Sequence, residues 1–187
     1  MSSDVVAPLA PPPGALATAV GDEATAWSDV ERVTHTIARR RSTRRFAHGA
    51  IQRSALFRAL HHAAGGADRL PAPDLLRTYL VSLQVVALPP RTYLFDGERV
   101  HELSRGQAGE AMLHLGLDQE IFVNAAAAVV HTVDLTRAVQ RYGDRAYRLV
   151  HLDARHAGER LNLALLREGL GVSGCAGVYD DEMDRLP

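Results

Sequence analysis

DRAYRLVHLDARHAGERLNLALLRE, Asp144 to Glu168, lies between Gly143 and Gly169, and its reading decides how the rest of the chain is arranged. Roughly 25 residues at ~1.5 Å each predict a helix on the order of 37 Å long, enough to cross a small domain. Asp144 is placed to cap the first turn, and Gly169 stands where a left-handed residue closes a helix. Tyr147, Val150, Ala154, Ala157, Leu161 and Leu165 recur at spacings of three and four and line one face. Leu149, Leu152, His156 and Leu163 fall on the opposite side, while Ala154, Ala157 and Gly158 leave room for a close neighbour. A helix apolar on two sides is sandwiched between two layers. Either it runs through one large core, or it gives one face to the chain's own sheet and the other to a second subunit. The small amount of chain left to surround it favours the second subunit.

The remaining sequence bounds what that helix can belong to. A chain of 187 residues suits one domain with a real core. Its 47% hydrophobic content and net charge of -1 fit a soluble globular protein and exclude a generally basic nucleic-acid binder. All 21 basic residues are arginines, a coding bias rather than a chemical choice. Cys175 is the single cysteine, which excludes an internal disulfide framework and a cysteine-rich metal site and fits a reducing cytoplasm. No apolar run is long enough to span a bilayer, and the N-terminus lacks the basic region of a signal peptide.

Outward from the helix, residues 1–26 are rich in Ala and Pro and read as a flexible or extended arm, with an ordered domain over 27–187. Ser28 and Glu31 form a capping box for a helix whose buried side is Val30, Val33 and Ile37. Ser54 caps a second helix through Leu56, Phe57 and Leu60, closed by Gly65-Gly66. After a proline-punctuated loop at 70–76, the alternation Tyr79, Val81, Leu83, Val85, Ala87 predicts a half-buried strand. Asp96-Gly97 between Thr92–Phe95 and Arg99–Leu103 is a hairpin signal. Residues 107–117 read as helix. Residues 125–133 read as strand, because the run is short and lies between two helices.

Two places offer chemistry. Arg39-Arg40-Arg41-Ser42-Thr43-Arg44-Arg45 would make a phosphate clamp, with planar forks and hydroxyls side by side. Cations at a helix C-terminus also suit the macrodipole with no ligand at all. Tyr142, before Gly143 at the mouth of the long helix, is placed to donate a proton or simply to pack. The nine histidines predict no metal site: His151 and His156 point ~140° apart on a helix, and His61-His62 reads as exposed. No Walker loop, dinucleotide fingerprint or serine elbow is present.

Three stretches in this order, Arg40-Arg41-Ser42-Thr43-Arg44-Arg45-Phe46, Arg141-Tyr142-Gly143-Asp144-Arg145, and Gly169-Leu170-Gly171-Val172 leading to Cys175-Ala176-Gly177-Val178-Tyr179, resemble the FMN-dependent nitroreductase superfamily. Within it they resemble the SagB-type dehydrogenases, which oxidise azoline rings in ribosomal peptide natural products. The resemblance covers about residues 28–187. It implies an α+β fold, with an antiparallel sheet, flanking helices and a long interface helix, in a homodimer or a heterodimer with a homologous subunit. It further implies that Arg40, Arg41, Ser42 and Arg44 hold the FMN phosphate and pyrimidine edge, where a cation favours the negative charge that hydride uptake creates. Gly177 and Val178 correspond to the loop whose amides face flavin N5. Arg141 and Tyr142 correspond to the lysine-tyrosine pair that handles protons, and the implied substrate is a peptide or small molecule.

The sequence departs from that pattern in four places. The family's Pro-Ser-x-Gly-x-Leu-Tyr-Pro segment is replaced by Pro71-Ala72-Pro73-Asp74-Leu75-Leu76. Its Ala-Gly-His-x-x-Gln-Asn has become Ala154-Arg155-His156-Ala157-Gly158-Glu159-Arg160. Arg141 stands for the lysine, and Pro187 precedes the family's last strand. The expectation is therefore a flavin-dependent dehydrogenase, with a degenerate non-catalytic subunit scaffolding a catalytic partner as the alternative.

Overall fold

A computed structural model describes residues 17–19, 30–65, 72–104, 108–179 and Glu182. The cap expected at Ser28, Gly66, the start of the proline loop, Gln107 and the C-terminal Pro187 lie outside them. The Asp96-Gly97 signal is realised as the hairpin of β3 (Thr92–Phe95) and β4 (Arg99–Ser104). Asp96 Oδ1 accepts the backbone N–H groups of Glu98 and Arg99, so one side chain satisfies the turn. β2 (Leu76–Ser82) pairs with β3, and β5 (Ala127–Val133) closes the other side of β2. Three residues of the N-terminal arm form β1 (Ala17–Ala19), hydrogen-bonded along β4, so the extended arm is here part of the sheet. The order is β1-β4-β3-β2-β5, antiparallel throughout, which is the expected α+β arrangement.

The strand predicted over 79–87 is displaced. β2 begins at Leu76 because β5 offers it seven paired positions, from Leu76 opposite Val133 to Ser82 opposite Ala127. It ends at Ser82, where the chain turns away and Ala87 adopts φ +56°. Beyond that point Leu83 and Gln84 both donate to Ala126 O instead of continuing the ladder.

α2 (Arg53–Ala64) starts one residue before Ser54, so Ser54 is not its cap; Gln52 holds that position without a side-chain bond. Leu56, Phe57, Ala59 and Leu60 from α2 meet Leu80, Tyr93, Phe95 and Val100 from the sheet. Leu161 and Ala164 from α6 (Ala146–Arg167) complete this core. α6 is the predicted long helix, with two corrections. Asp144 does not cap it: the chain turns at Gly143 (φ +57°, ψ -141°), Asp144 lies in a 3-10 turn, and Arg145 precedes the helix without a side-chain bond. The buried stripe is Ala146, Val150, Asp153, Ala157, Leu161 and Ala164. The small residues face inward and let the sheet approach, while Tyr147 (61% exposed) and Leu152 (58%) stay outside. The other end follows expectation. Gly169 takes φ +77°, donating to Leu166 O, and Leu170 donates to Leu165 O, the paired bonds of a Schellman cap.

Two helices complete the frame. α1 (Val30–Arg39) leaves Ile37 56% exposed, against the buried side expected for it, while Val33 is half-buried. α5 (Leu135–Tyr142), which pattern reading missed, is capped by Asp134 through Arg137 N–H and buries only Ala138. α3 (Ala108–Leu115) and a single turn, α4 (Glu120–Val123), lie between β4 and β5. No helix among the described residues is long and apolar enough to cross a membrane.

Candidate functional site

The arginine stretch leaves the end of α1. Arg40 N–H still bonds Thr36 O, and Arg41 Nη1 folds back onto Ala38 O (3.2 Å) and Arg40 O (2.7 Å). Arg41 thus serves the helix end, the role that needs no ligand. Arg40 Nε stands 3.4 Å from Glu159 on α6, and Arg45 Nε stands 3.7 Å from Glu120 on α4. Ser42 is half-buried and Arg44 exposed. Thr43 N–H donates to Val172 O at 2.7 Å, which clamps the loop to the segment after α6. That approach requires Gly171: a Cβ there would lie 2.8 Å from Thr43 Oγ1.

The same segment carries Gly177 and Val178. Gly177 O accepts from Gln119 Nε2 and from Cys175 Sγ, each at 3.2 Å, and Tyr179 N–H donates to Leu115 O. His48 Nδ1 lies 3.3 Å from Asn124 Oδ1 and, with the Arg45–Glu120 contact, ties the arginine loop to the segment 115–124. Three segments distant in sequence, 40–48, 115–124 and 171–179, therefore form one cluster rich in arginine. Ser173 Oγ is buried in it without a hydrogen-bond partner among the described residues.

Arg141 and Tyr142 are elsewhere. They end α5, where Arg141 Nη1 donates to both Oδ1 and Oδ2 of Asp74 at 2.8 Å and its guanidinium carbon lies 5.1 Å from the Tyr142 ring. Tyr142 packs against the cluster of Ala72, Leu75, Ala138, Ala146 and Val150. Val150 in that cluster precedes Glu159 on α6 by nine positions, roughly 13 Å of helix axis, so one chain does not bring this pair to Arg40.

A sequence model described as the nitroreductase family matches residues 37–186. The chain belongs to the nitroreductase family. Members of that family generally use FMN. A relative from Methanocaldococcus jannaschii, named "Putative nitroreductase MJ1384", is 24% identical over 171 residues, 84% of this chain and 86% of its own. A crystal structure titled as a "putative nitroreductase" from Anabaena variabilis superposes with a TM-score of 0.85 at 28% identity. The match takes in 94% of this chain, but this chain spans only 39% of that protein's length.

For a nitroreductase-family chain, the arginine cluster fits a phosphate-bearing cofactor: it has guanidiniums, the Ser42 and Ser173 hydroxyls, and a close-packed glycine segment beside them. Sequence reading missed what opposes or steers the candidate residues in both places. Glu159 stands against Arg40, Asp74 holds Arg141, and Gln119 positions the Gly177 carbonyl. Glu159 and Asp74 did stand in the two altered motifs, a signal of changed surroundings without a direction. A cavity of about 150 Å³ between α2, α6 and the sheet is lined by core side chains such as Leu60, Phe95, Val129 and Leu161, and no residue of the arginine cluster borders it. Among the described residues no group of three potential ligands could hold a metal ion.

The histidines matter for stability instead. His131 on β5 sits 3.0 Å from Thr78 Oγ1, and burial lowers its pKa from 6.5 to about 4. His62, read from sequence as exposed, is half-buried; burial, then Arg160, Arg167 and His61, bring its pKa to about 4 as well. Below pH ~6.5 the unfolded chain binds protons that the folded chain refuses until about 4, so stability falls as pH drops through that window. By pH ~4 His131 alone accounts for a loss on the order of 3 kcal/mol. Urea midpoints measured from pH 7 to 4.5 should decline, and His131→Gln should decline less. Parallel curves for the two proteins would rule out His131 as a source.

Proposed function

We propose that this chain is an FMN-dependent oxidoreductase of the SagB-type branch, oxidising azoline rings in peptide natural-product maturation. The observation that carries the reading is the 2.7 Å bond from Thr43 N–H to Val172 O, which joins the arginine loop to the segment bearing Gly177. Bound FMN would supply a two-electron acceptor for the substrate's hydride. Arg40 and Arg44 hold its phosphate by charge-assisted bonds, with Arg41 and Ser42 alongside. The backbone at Gly177 and Val178 would border the flavin, with Tyr142 to move the proton and Arg141 to orient it.

That assignment needs a second copy. Proteins of this fold commonly dimerise. Tyr147, Leu152, Val139 and Leu135 are large, apolar and exposed on α5 and α6, and a Cβ at Gly158 would meet nothing within 4 Å in its own chain. An antiparallel α6 pair covers that face and carries the partner's Tyr142 end toward the Arg40 end, removing the separation along α6. Ala157 is buried against its own chain and does not test the interface; Leu152 does. Leu152→Arg should keep its helical circular dichroism and sediment as a monomer. A wild-type protein monomeric at micromolar concentration would end the dimer reading.

The second reading is a scaffolding subunit without turnover, favoured by the Arg40–Glu159 contact and by Asp74 holding Arg141. Purified protein separates the two. Flavin absorbance near one per chain and oxidation of an azoline peptide support the enzyme; a colourless protein that takes up no added FMN supports the scaffold.

A further inference from the structure

Asp153 is a carboxyl group in the middle of α6, 1% exposed, in a stripe whose other members are Ala146, Val150, Ala157, Leu161 and Ala164. Burial raises its pKa, against the opposing effects of the Ala72 N–H bond and the His156 charge. Oδ1 is buried without a hydrogen-bond partner among the described residues. A buried, half-satisfied carboxyl group is destabilising, and packing alone would be served better by leucine. Its one contact of consequence is specific: Oδ2 accepts Ala72 N–H at 2.8 Å.

Ala72 begins the turn that carries Asp74. It is itself 1% exposed, with φ -143° and ψ 54°, and accepts Leu75 N–H at 3.1 Å to close the 3-10 turn Pro73–Leu75. Pro73 has no N–H to offer, so among the described residues the bond from Ala72 is what adds a directional hold to the packing of Ala72 and Leu75 on Ala146 and Val150 of α6. Two residues further on, Asp74 takes Arg141 Nη1 on both oxygens, and Arg141 lies against Tyr142.

We propose that Asp153 is a positioning residue: from inside α6 it pins the Ala72–Leu75 turn and, through Asp74, fixes the orientation of Arg141 beside Tyr142. Its use in catalysis rests on the reading that Arg141 and Tyr142 face the reacting group; the positioning itself does not.

The test is NMR of ¹⁵N-labelled full-length protein, following amide exchange at Ala72 and Leu80 and the Arg141 side-chain resonance. Asp153→Leu should speed exchange at Ala72 by about tenfold, the scale of a lost buried hydrogen bond, while Leu80 on β2 stays as in wild type. The Arg141 side-chain resonance should broaden or vanish, as it should in Asp74→Asn. Asp153→Asn retains an acceptor oxygen and should restore both signals. Asp74→Asn should leave Ala72 protected, since the dependence runs from Asp153 outward. Should Asp153→Leu not fold, Asp153→Ala breaks the same bond and is read in the same way. The proposal is overturned if the folded variant keeps Ala72 protection and the Arg141 resonance. It is also overturned if Leu80 accelerates in step with Ala72, or if Asp153→Asn behaves like Asp153→Leu. Flavin and turnover do not enter the measurement, so a colourless protein leaves this test intact, and failure here leaves the flavin reading standing.

Discussion

Tyr142→Phe should slow azoline-peptide oxidation by on the order of 10²-fold or more while bound flavin is unchanged, the usual scale for a lost acid–base group. Of the two adjacent residues only the phenol can both donate and accept a proton; a guanidinium is not deprotonated in proteins. Arg141 is further committed by Asp74, which takes its Nη1 on both carboxylate oxygens at 2.8 Å. That leaves Arg141 an orienting and electrostatic role beside the Tyr142 ring. Arg141→Lys should preserve or raise the rate, since an ammonium can pair with Asp74 and restores the lysine of the dehydrogenase branch. Rates are to be compared at matched flavin occupancy, which separates chemistry from cofactor loss. If Tyr142→Phe turns over like wild type, this tyrosine only packs against Ala146 and Val150.

Arg40→Ala and Arg44→Ala should each weaken FMN binding by about tenfold to a hundredfold, because a charge-assisted bond contributes roughly 1.5–3 kcal/mol. Glu159 makes the effect at Arg40 more than a simple deletion. Its carboxylate stands 3.4 Å from Arg40 Nε, where it competes with phosphate for the same guanidinium. Glu159→Gln should therefore tighten FMN binding, and only a few-fold, since a partly exposed ion pair is worth about 0.2–1 kcal/mol. His151→Ala is the control: its ring sits 4.3 Å from Tyr147, toward the other end of α6, and flavin affinity should not change. Fluorescence titration of FMN against the four variants gives the answer directly. Equal affinities throughout would reduce the cluster to a solvated helix end of the kind Arg41 already forms with Ala38 O and Arg40 O.

How much of this was legible from residues alone depended on range. The hairpin at Asp96-Gly97 and the closure of α6 at Gly169 are set by side chains within a few positions of one another, and both are found as predicted, while α6 starts two residues later than predicted, at Ala146. Within the 125–133 run, Ala127–Val133 is a strand, as its shortness and its place between helices suggested. α5 was missed although Leu135, Ala138, Val139 and Tyr142 recur at helical spacing and Asp134 is a recognisable cap; it is only eight residues long and buries only Ala138. The Arg40–Arg45 loop stood out as a concentration of charge, but Glu159, 119 positions away from Arg40, left no mark there.

What the sequence by itself determined was the local grammar: which stretches coil, which extend, where they stop, and that one long helix is apolar on two sides. Only the tertiary structure decided which side of that helix the chain's own sheet covers. The inward stripe is the one with Ala146, Val150, Ala157, Leu161 and Ala164, whose alanines let the sheet and α2 come close enough for Leu161 to join their core; Tyr147 and Leu152 lie off that stripe and stay exposed. The same holds for the site. Periodicity depends on neighbours three or four positions apart, whereas Thr43 meeting Val172 and Asp153 meeting Ala72 depend on how distant segments stack, and spacing carries no record of that.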